Sequence, residues 1–241
     1  MRTDVVLLPS HLNPAQLQGR AVVVLDVLRA TTTMIAALSA GVREIRIFPD
    51  TRSARAAATE NREALLCGEE NCLKPAGFDL GNSPASLNSK HAGRTLFMST
   101  TNGTRAILSA RGAPQIIVGA LVNAGAVAAR IKKIGLDLLL LCAGTNGKTA
   151  MEDLIGAGAV LSALGENIEL ESDTALLAMT VFQANSRNLR SALRQSQGGI
   201  NVIRAGLEED IDFAANLDSL YAVGMVEDGD PIKVVRAAGT R

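Results

Sequence analysis

The chain has 241 residues, of which 47% are hydrophobic and 20% are charged, and its formal net charge is +0. Without an excess of Lys and Arg it lacks the charge that binding to nucleic acid or to an anionic membrane requires, so we expect neither partner. Only 2% of the residues are aromatic, so Val, Ile, Leu and Ala must build the core, as they do in parallel sheets covered by helices.

The three cysteines are odd in number and form no Cys-x-x-Cys pair, a pattern typical of a reducing compartment. The first eleven residues contain no apolar stretch of signal-peptide length, and the apolar run at 136–143 is too short to span a bilayer. We therefore expect a cytoplasmic location.

Apolar runs of strand length alternate with Ala-rich, helix-compatible segments as far as residue 142. The predicted strands are 4–8, 21–28, 44–48, 64–67, 94–99, 115–119 and 137–142, and the predicted helices between them are 32–39, 52–62, 103–111 and 123–133. Several strands are continuous Val, Ile and Leu runs, which favours burial on both faces. Strands and helices in alternation predict right-handed crossovers and a largely parallel sheet.

The last third of the chain predicts mainly helices. Long helices are expected at 152–164 and 173–183, shorter ones across 187–211 with breaks at Gly198-Gly199 and Gly206, and a closing pair of strands at 219–226 and 232–235. The predicted fold class is α/β, a three-layer α/β/α arrangement with a mainly helical C-terminal part. We expect residues 1–241 to form one compact unit, or two closely packed lobes with a boundary near 145–165.

Polar residues collect after the second predicted strand, at the end where open α/β sheets bind ligands. Asp26, Arg29 and the hydroxyl residues Thr31, Thr32 and Thr33 stand at a predicted helix start. Free N–H groups, hydroxyl donors and an arginine fork together favour binding of a phosphate or sulfonate. The structural alternatives are helix capping by the threonines and an N-cap or ion pair for Asp26.

Two more predicted strands run into loops of the same design. They lead into Thr100, Thr101, Asn102, Gly103, Thr104 and Arg105, and into Gly144 and Thr145. A Thr-Asn-Gly element occurs in both loops, and one copy alone indicates only a turn. Three such loops after three strands predict that they converge on one phosphate.

Acidic residues near these loops suggest a divalent cation. Glu152 and Asp153 open a predicted helix, where they either stabilise the helix dipole or hold a hard cation. The chain has two His and no His-Glu-x-x-His motif, so zinc is not expected, whereas carboxylate oxygens favour Mg²⁺. Asp26, Glu152 and Asp153 are the candidate ligands, with Glu69 as a further acid.

The segment 67–84 is long, polar and irregular, which is typical of a functional loop, although a plain surface excursion is the alternative. Glu69 and Lys74 are its expected working residues, and Asn82 and Ser83 its expected hydrogen-bond donors.

Six motifs follow one another along the chain. They are Asp-Val-Leu-Arg-Ala-Thr-Thr-Thr at 26–33, Gly-Glu at 68–69, Gly-Phe-Asp-Leu-Gly-Asn-Ser-Pro at 77–84, Thr-Thr-Asn-Gly-Thr-Arg-Ala at 100–106, Cys-Ala-Gly-Thr at 142–145, and Glu-Asp with Gly-Ala-Gly at 152–158. Together they resemble the 2-phosphosulfolactate phosphatase family over nearly the whole chain. The resemblance implies Mg²⁺-dependent hydrolysis of 2-phospho-3-sulfolactate to 3-sulfolactate and phosphate, a step of coenzyme M formation. The physiological substrate and pathway of this chain stay open.

For such an enzyme we expect Asp26, Glu152 or Asp153 to hold Mg²⁺, which orients the attacking water. Arg29 and the threonine-rich loops would stabilise the phosphoryl oxygens in the transition state.

The other expected roles concern proton transfer and the remaining anionic groups of the substrate. Lys74, Arg105 or Arg204 would bind the sulfonate and carboxylate. Glu69 is the candidate general base, with Asp26 as an alternative nucleophile.

Two other functions are compatible with the sequence. A nucleotide-binding ligase or kinase would use Gly-Thr-Asn-Gly-Lys-Thr at 144–149, although a Walker A loop would require glycine where Cys142 stands. A non-catalytic anion-binding module would keep the threonine-rich loops without the acids. The Ala-rich helix face at 123–131 would suit a homodimer as well as a core.

Overall fold

The computed structural model describes residues 1–239. Its strands are β1 (Arg2–Val6), β2 (Arg20–Leu25), β3 (Glu44–Ile47), β4 (Leu65–Gly68), β5 (Thr95–Ser99), β6 (Gln115–Gly119), β7 (Asp137–Cys142), β8 (Glu169–Leu170), β9 (Gly224–Glu227) and β10 (Lys233–Arg236). Its helices are α1 (Ala30–Ser39), α2 (Thr51–Glu60), α3 (Gly103–Ser109), α4 (Ala124–Ile134), α5 (Met151–Leu164), α6 (Asp173–Asn185), α7 (Leu189–Gln195), α8 (Gln197–Arg204) and α9 (Glu208–Ala214).

The predicted three-layer α/β/α class is confirmed. Successive residues of β2 alternate between two cores: Val23 and Leu25 pack with α4 and α5, and Val22 and Val24 pack with α1 and α3. Both faces of the central strands are therefore covered, which explains why these strands are continuous apolar runs.

Most sequence predictions of single elements are confirmed within three residues at each end. The predicted break at Gly198-Gly199 is wrong, because both glycines lie inside α8. The helical structure is interrupted instead at Ser196, between α7 and α8. The Ser196 hydroxyl accepts a hydrogen bond from Gly199 N–H and so caps α8.

The predicted closing pair of strands forms, but it lies in the middle of the sheet. The strand order is β4-β5-β3-β10-β9-β6-β2-β7-β1-β8, with β9 and β10 antiparallel to each other and to their outer neighbours. This hairpin joins two parallel groups, β4-β5-β3 and β6-β2-β7-β1-β8. Three antiparallel pairings separate β3 from β6, so the two groups run in opposite directions.

Sheet twist explains how loops from both groups nevertheless meet. Four strands, β3, β10, β9 and β6, separate β5 from β2. Neighbouring strands rotate by about 20–25°, so the five steps accumulate roughly 100–125°. A rotation of this size would offset much of the reversal.

The helix face expected to serve either a core or a dimer is used by the core. Val127, Ala128 and Ile131 of α4 are fully or almost fully buried against the sheet. A homodimer would need another surface, and it stays a prediction. Within residues 1–239, no helix is both long and apolar enough to cross a membrane.

Candidate active site

A cavity of about 470 Å³ opens where loops of the two parallel groups meet. Its lining residues are Asp26, Leu28 and Arg29 after β2; Glu69, Asn71, Cys72, Leu73 and Asn82 from the segment after β4; Thr101 and Asn102 after β5; Thr145 and Asn146 after β7; and Gly198, Asn201, Arg204 and Ala205 of α8 and its end. Eight of these were predicted site residues: Asp26, Arg29, Glu69, Asn82, Thr101, Asn102, Thr145 and Arg204.

Asp26 is fixed at the start of α1 by local hydrogen bonds. Its Oδ1 accepts from Ala30 N–H at 3.1 Å, while Thr31 makes three hydrogen bonds with the Asp26 backbone, two through its hydroxyl and one through its N–H. Gly103 packs directly against it, since a Cβ there would lie 2.8 Å from Asp26 Oδ2. Among residues 1–239, Asp26 Oδ2 receives no hydrogen bond, so it is the oxygen left for a ligand.

The carboxylates around the cavity disfavour further negative charge. Burial raises the pKa of Asp26 to about 7; the Ala30 hydrogen bond opposes this shift, and nearby Glu69 and Glu152 add to it. Burial also raises the pKa of Glu152. Such a cluster favours uptake of positive charge, either as a proton or as a cation.

Glu152 is buried at the start of α5 and does not itself line the cavity, but it contacts Thr145 and Gly198, which do. Its Oε1 accepts a long hydrogen bond of 3.5 Å from the Thr145 hydroxyl, the Ser196 hydroxyl and the Gly198 N–H also lie near enough to lower its pKa, and its Oε2 is buried with no partner within hydrogen-bond distance in the described chain. A Cβ on Gly198 would lie 1.9 Å from Oε1, so only glycine leaves room for this carboxylate. An unpartnered buried oxygen beside a cavity fits a ligand-binding role.

Asp153 does not line the cavity, and its predicted role as a metal ligand stays a prediction. Its Oδ1 accepts from Val27 N–H at 2.8 Å, and its Oδ2 accepts from Gly144 N–H at 2.9 Å. Burial raises its pKa well above the usual range, and Asp26 and Glu152 raise it further. Because backbone N–H groups occupy both oxygens, Asp153 ties the loops after β2 and β7 together.

Glu69 joins two loops in the same manner. Its Oε1 accepts from Thr101 N–H at 2.6 Å, and its Oε2 accepts from Cys72 N–H at 2.8 Å. Its expected role as general base stays a prediction.

Arg29 is buried and already paired. Its Nη1 donates to Asp210 Oδ2 at 2.6 Å, and its Nη2 donates to the Cys72 carbonyl at 2.5 Å. Asp210 also accepts a hydrogen bond from the Ser83 hydroxyl. Arg29 was expected to be a free anion-binding cation, whereas the structure gives it a carboxylate partner from α9.

Several predicted binding residues support the loops without lining the cavity. The hydroxyls of Thr31, Thr32 and Thr33 donate to backbone carbonyls, and Thr100 and Thr104 bond to each other. The capping alternative does not fit Thr31, Thr32 and Thr33, because the N-cap of α1 is Arg29 and no side chain caps this helix. Their hydroxyls instead brace the surrounding loops, and their expected role in binding stays a prediction. Gly103 and Gly144 are likewise buried packing positions, where a Cβ would meet atoms at 2.4 Å and 2.3 Å.

Three more predicted residues lie away from the cavity wall. Ser83 faces Asp210, and Lys74 is exposed, with its Nζ 3.5 Å from the Asp79 carbonyl. Arg105 lines a separate, neighbouring cavity of about 250 Å³. Of the predicted cationic residues, only Arg29 and Arg204 line the main cavity.

The segment 144–149 forms a tight turn. Thr145 and Lys148 exchange backbone hydrogen bonds, and Lys148 is exposed outside the cavity. A phosphate-cradling loop needs free N–H groups and an inward lysine, so this geometry does not favour the nucleotide-binding alternative.

Sequence reasoning missed Asp210, Asn146, Asn201 and the turn at Asn71-Cys72. The pair Gly198-Gly199 did carry a signal, because adjacent glycines inside a helical segment indicate close packing. For Asp210 there was none, since an acid at a helix start already has a purely local explanation.

The acids present fit a magnesium ion better than a metal bound entirely by protein. Among residues 1–239, no group of three or more His, Cys, Asp or Glu side chains is arranged to hold a metal. Mg²⁺ commonly uses one or two carboxylates together with water and substrate phosphate oxygens. Asp26 Oδ2 and Glu152 Oε2 are two carboxylate oxygens without a hydrogen-bond donor in the described chain, which makes them the candidates for this role; the buried Asn82 Oδ1 also lacks a partner there.

Comparisons with known proteins show the family of the chain. A family model described as 2-phosphosulpholactate phosphatase matches residues 6–229. A protein of Carboxydothermus hydrogenoformans named "Probable 2-phosphosulfolactate phosphatase" is 38% identical over 232 residues, 95% of each chain. Proteins of the same name from Synechococcus sp. (strain JA-3-3Ab) and Thermotoga petrophila are 39% and 36% identical, covering 89% and 94% of this chain and 91% and 96% of theirs. The chain belongs to the 2-phosphosulfolactate phosphatase family.

Proposed function

We propose that the protein hydrolyses 2-phospho-3-sulfolactate to 3-sulfolactate and phosphate with the help of Mg²⁺. The observation that carries the proposal is the convergence of Asp26, Arg29, Thr101, Thr145 and Arg204 on one cavity. These residues come from four separate segments of the chain. Carboxylate, guanidinium, hydroxyl and amide groups around one space suit a phosphate ester with further anionic groups.

The charge of the cavity supports the need for a cation. Glu69 and Glu152 both lie close enough to Asp26 to act on its charge, while the buried guanidinium of Arg29 is balanced by Asp210. A strongly anionic substrate would be repelled by this arrangement unless a cation offsets it. Asp26 and Glu152 would hold Mg²⁺, which would neutralise phosphate charge and lower the pKa of a bound water.

The protein's own groups have distinct tasks in the reaction. A water oxygen forms a bond to phosphorus and gives up one proton, the bond from phosphorus to the ester oxygen breaks, and the departing alkoxide takes up one proton, so no net proton is gained or lost. Arg29 presents N–H donors from a fixed position to the phosphoryl oxygens, which carry most charge in the transition state. Asp26 is better placed than Glu69 to contact reacting atoms, because both Glu69 oxygens already accept backbone N–H groups.

Arg204 is the candidate for the sulfonate or carboxylate. It lies one turn after Asn201 on α8, both residues line the cavity, and the Arg204 guanidinium has no protein partner among residues 1–239. Coenzyme M formation as the pathway and a cytoplasmic location stay predictions.

Phosphate release from 2-phospho-3-sulfolactate tests the proposal. We expect turnover with Mg²⁺, loss of turnover in excess EDTA, and recovery when Mg²⁺ is returned. Arg204→Ala should raise KM for this substrate more than for a phosphate ester without a sulfonate. Full activity in EDTA would contradict the metal assignment, and no phosphate release in any condition would contradict the function.

Binding of the metal is separable from activity. Titration of Mg²⁺ followed by calorimetry should show binding to the wild type and weaker binding to Glu152→Gln, which keeps the size of the side chain but not its charge. Equal affinities would remove Glu152 from the metal site.

A further inference from the structure

Asp210 connects three parts of the candidate site from outside the cavity wall. It is 1% exposed, near the start of α9, and its two carboxylate oxygens have different partners. Oδ2 accepts from Arg29 at 2.6 Å, and Oδ1 accepts from the Ser83 hydroxyl. Ser83 ends the polar segment after β4, so α9 is joined to that segment and to the loop after β2.

The contacts of Arg29 leave part of its guanidinium for the cavity. Two of its N–H donors are used by Asp210 and by the Cys72 carbonyl. Arginine has five such donors in a rigid plane, so fixing two of them fixes the direction of the others. The residue lines the cavity, and its side chain is 3% exposed.

Stability alone does not explain a charged residue at position 210. Buried ion pairs are often replaced by apolar residues of similar volume without loss of stability. Arg29 also lies close enough to Asp26 to lower the pKa of that carboxyl. Without Asp210, the guanidinium would be drawn towards the acids inside the cavity, away from the position an incoming phosphate needs.

We propose that Asp210 is a positioning residue for the reaction, acting through Arg29 and Ser83. Asp210 holds the Arg29 guanidinium away from the cavity acids and aims its remaining donors at the phosphate. The inference rests on the proposed phosphatase function. It extends the active site to α9, which contributes no residue to the cavity wall.

The test compares Asp210→Asn with Asp212→Asn in the full-length protein. Asp212 lies on the same helix, is exposed, and pairs with Arg190 on the surface, so it is a matched control. We expect Asp210→Asn to lower kcat for phosphate release by about 100-fold, as displacement of a positioned group by about 1 Å can do. Asp212→Asn should keep the wild-type kcat, and urea denaturation should show that all variants are folded under assay conditions.

A double-mutant cycle distinguishes positioning from a structural role. If Asp210 acts through Arg29, Asp210→Asn should change kcat by less than about 3-fold in an Arg29→Lys background, because coupled residues are not additive. The same fold loss in both backgrounds would overturn the proposal, as would wild-type kcat in Asp210→Asn.

If Asp210→Asn fails to fold, Ser83→Ala provides a second test, because this substitution leaves the ion pair between Arg29 and Asp210 in place. It should lower kcat by about 10-fold, the loss typical of an outer hydrogen-bond partner, and an unchanged kcat would overturn the proposal. If the wild-type protein releases no phosphate, the proposed function is wrong. If the wild type and Asp210→Asn are equally active, only the inference about Asp210 is wrong.

Discussion

The negative charge of Asp26 is stabilised by one local hydrogen bond but disfavoured by its buried surroundings. The helix start at Ala30 donates a hydrogen bond to its carboxylate, yet burial and two neighbouring glutamates raise its pKa to about 7. Proteins keep such arrangements mainly where function needs them, and removal of the charge often increases stability.

Asp26→Asn should separate activity from stability. We expect kcat for phosphate release to fall by at least about 100-fold, because the free Oδ2 no longer carries charge. The melting temperature in EDTA should stay equal or rise, because Asn still accepts the Ala30 hydrogen bond while the buried charge is gone. Asp50→Asn, at the exposed cap of α2, is the control and should leave kcat unchanged. A clear fall in melting temperature with full activity would contradict this account.

Gly198→Ala should damage the site by crowding alone. The new methyl group would lie 1.9 Å from Glu152 Oε1, so the carboxylate or α8 must move. We expect a loss of about 1–3 kcal/mol in the free energy of unfolding, typical of overpacking, together with weaker Mg²⁺ binding. Gly81→Ala, where the nearest atom is at an ordinary 3.5 Å, should change neither quantity. Wild-type Mg²⁺ affinity in Gly198→Ala would show that Glu152 is not constrained in this manner.

At the residue scale, the sequence could predict which residues collect at strand ends but not which atoms are free. Asp26 and Asp153 are both buried acids beside predicted strand ends or helix starts, yet only Asp26 keeps an oxygen without a partner. Asp210 could not be predicted, because its partner Arg29 lies 181 positions away. Such pairings depend on tertiary contacts, which leave no trace in local sequence.

At the scale of elements, strand and helix signals were sufficient to locate most of the structure. The strands β6 and β7 have the predicted bounds because they are continuous apolar runs ended by turn residues. The two-residue strand β8 was missed, since Glu169 and Leu170 give no periodic pattern. The hairpin β9–β10 was predicted, but not its place in the middle of the sheet, because strand order is not encoded locally.

The start of β1 offers a test of electrostatic stabilisation at this scale. Arg2 donates to Asp137 on β7 from its backbone and its side chain, and these hydrogen bonds lower the pKa of Asp137 below its ordinary value of 3.8. A carboxylate whose pKa is lower in the folded state than in the unfolded state stabilises the fold fully when the pH is above its unfolded-state pKa. This stabilisation is lost as the pH falls through the folded-state pKa.

Asp137→Asn should therefore be less stable than the wild type at pH 7, and the difference should shrink as the pH is lowered through the folded-state pKa, which lies below 3.8. Urea denaturation of both proteins at pH 7 and at a series of lower pH values measures the difference. The effect should be small, because the pair is largely exposed and screened by solvent. A stability difference that grows as the pH is lowered would contradict the sign of the effect.

At the scale of the whole molecule, the site depends on the twist of one mixed sheet. The sequence predicted loops that converge from strands of one direction. In the structure the strands before these loops belong to two groups of opposite direction, joined through β9 and β10. The loops nevertheless line one cavity, and the general twist of β-sheets, which follows from backbone chirality, would account for it.

The central claim is that the cavity between these loops holds a tetrahedral anion beside a divalent cation. A crystal structure of the full chain grown with Mg²⁺ and inorganic phosphate tests it most directly. We predict phosphate in contact with Arg29 and the Thr101 or Thr145 loop, with Mg²⁺ bound to Asp26 or Glu152 and to a phosphate oxygen. Phosphate found only elsewhere, such as at the exposed Lys148 turn, with the acids binding no metal, would contradict the account.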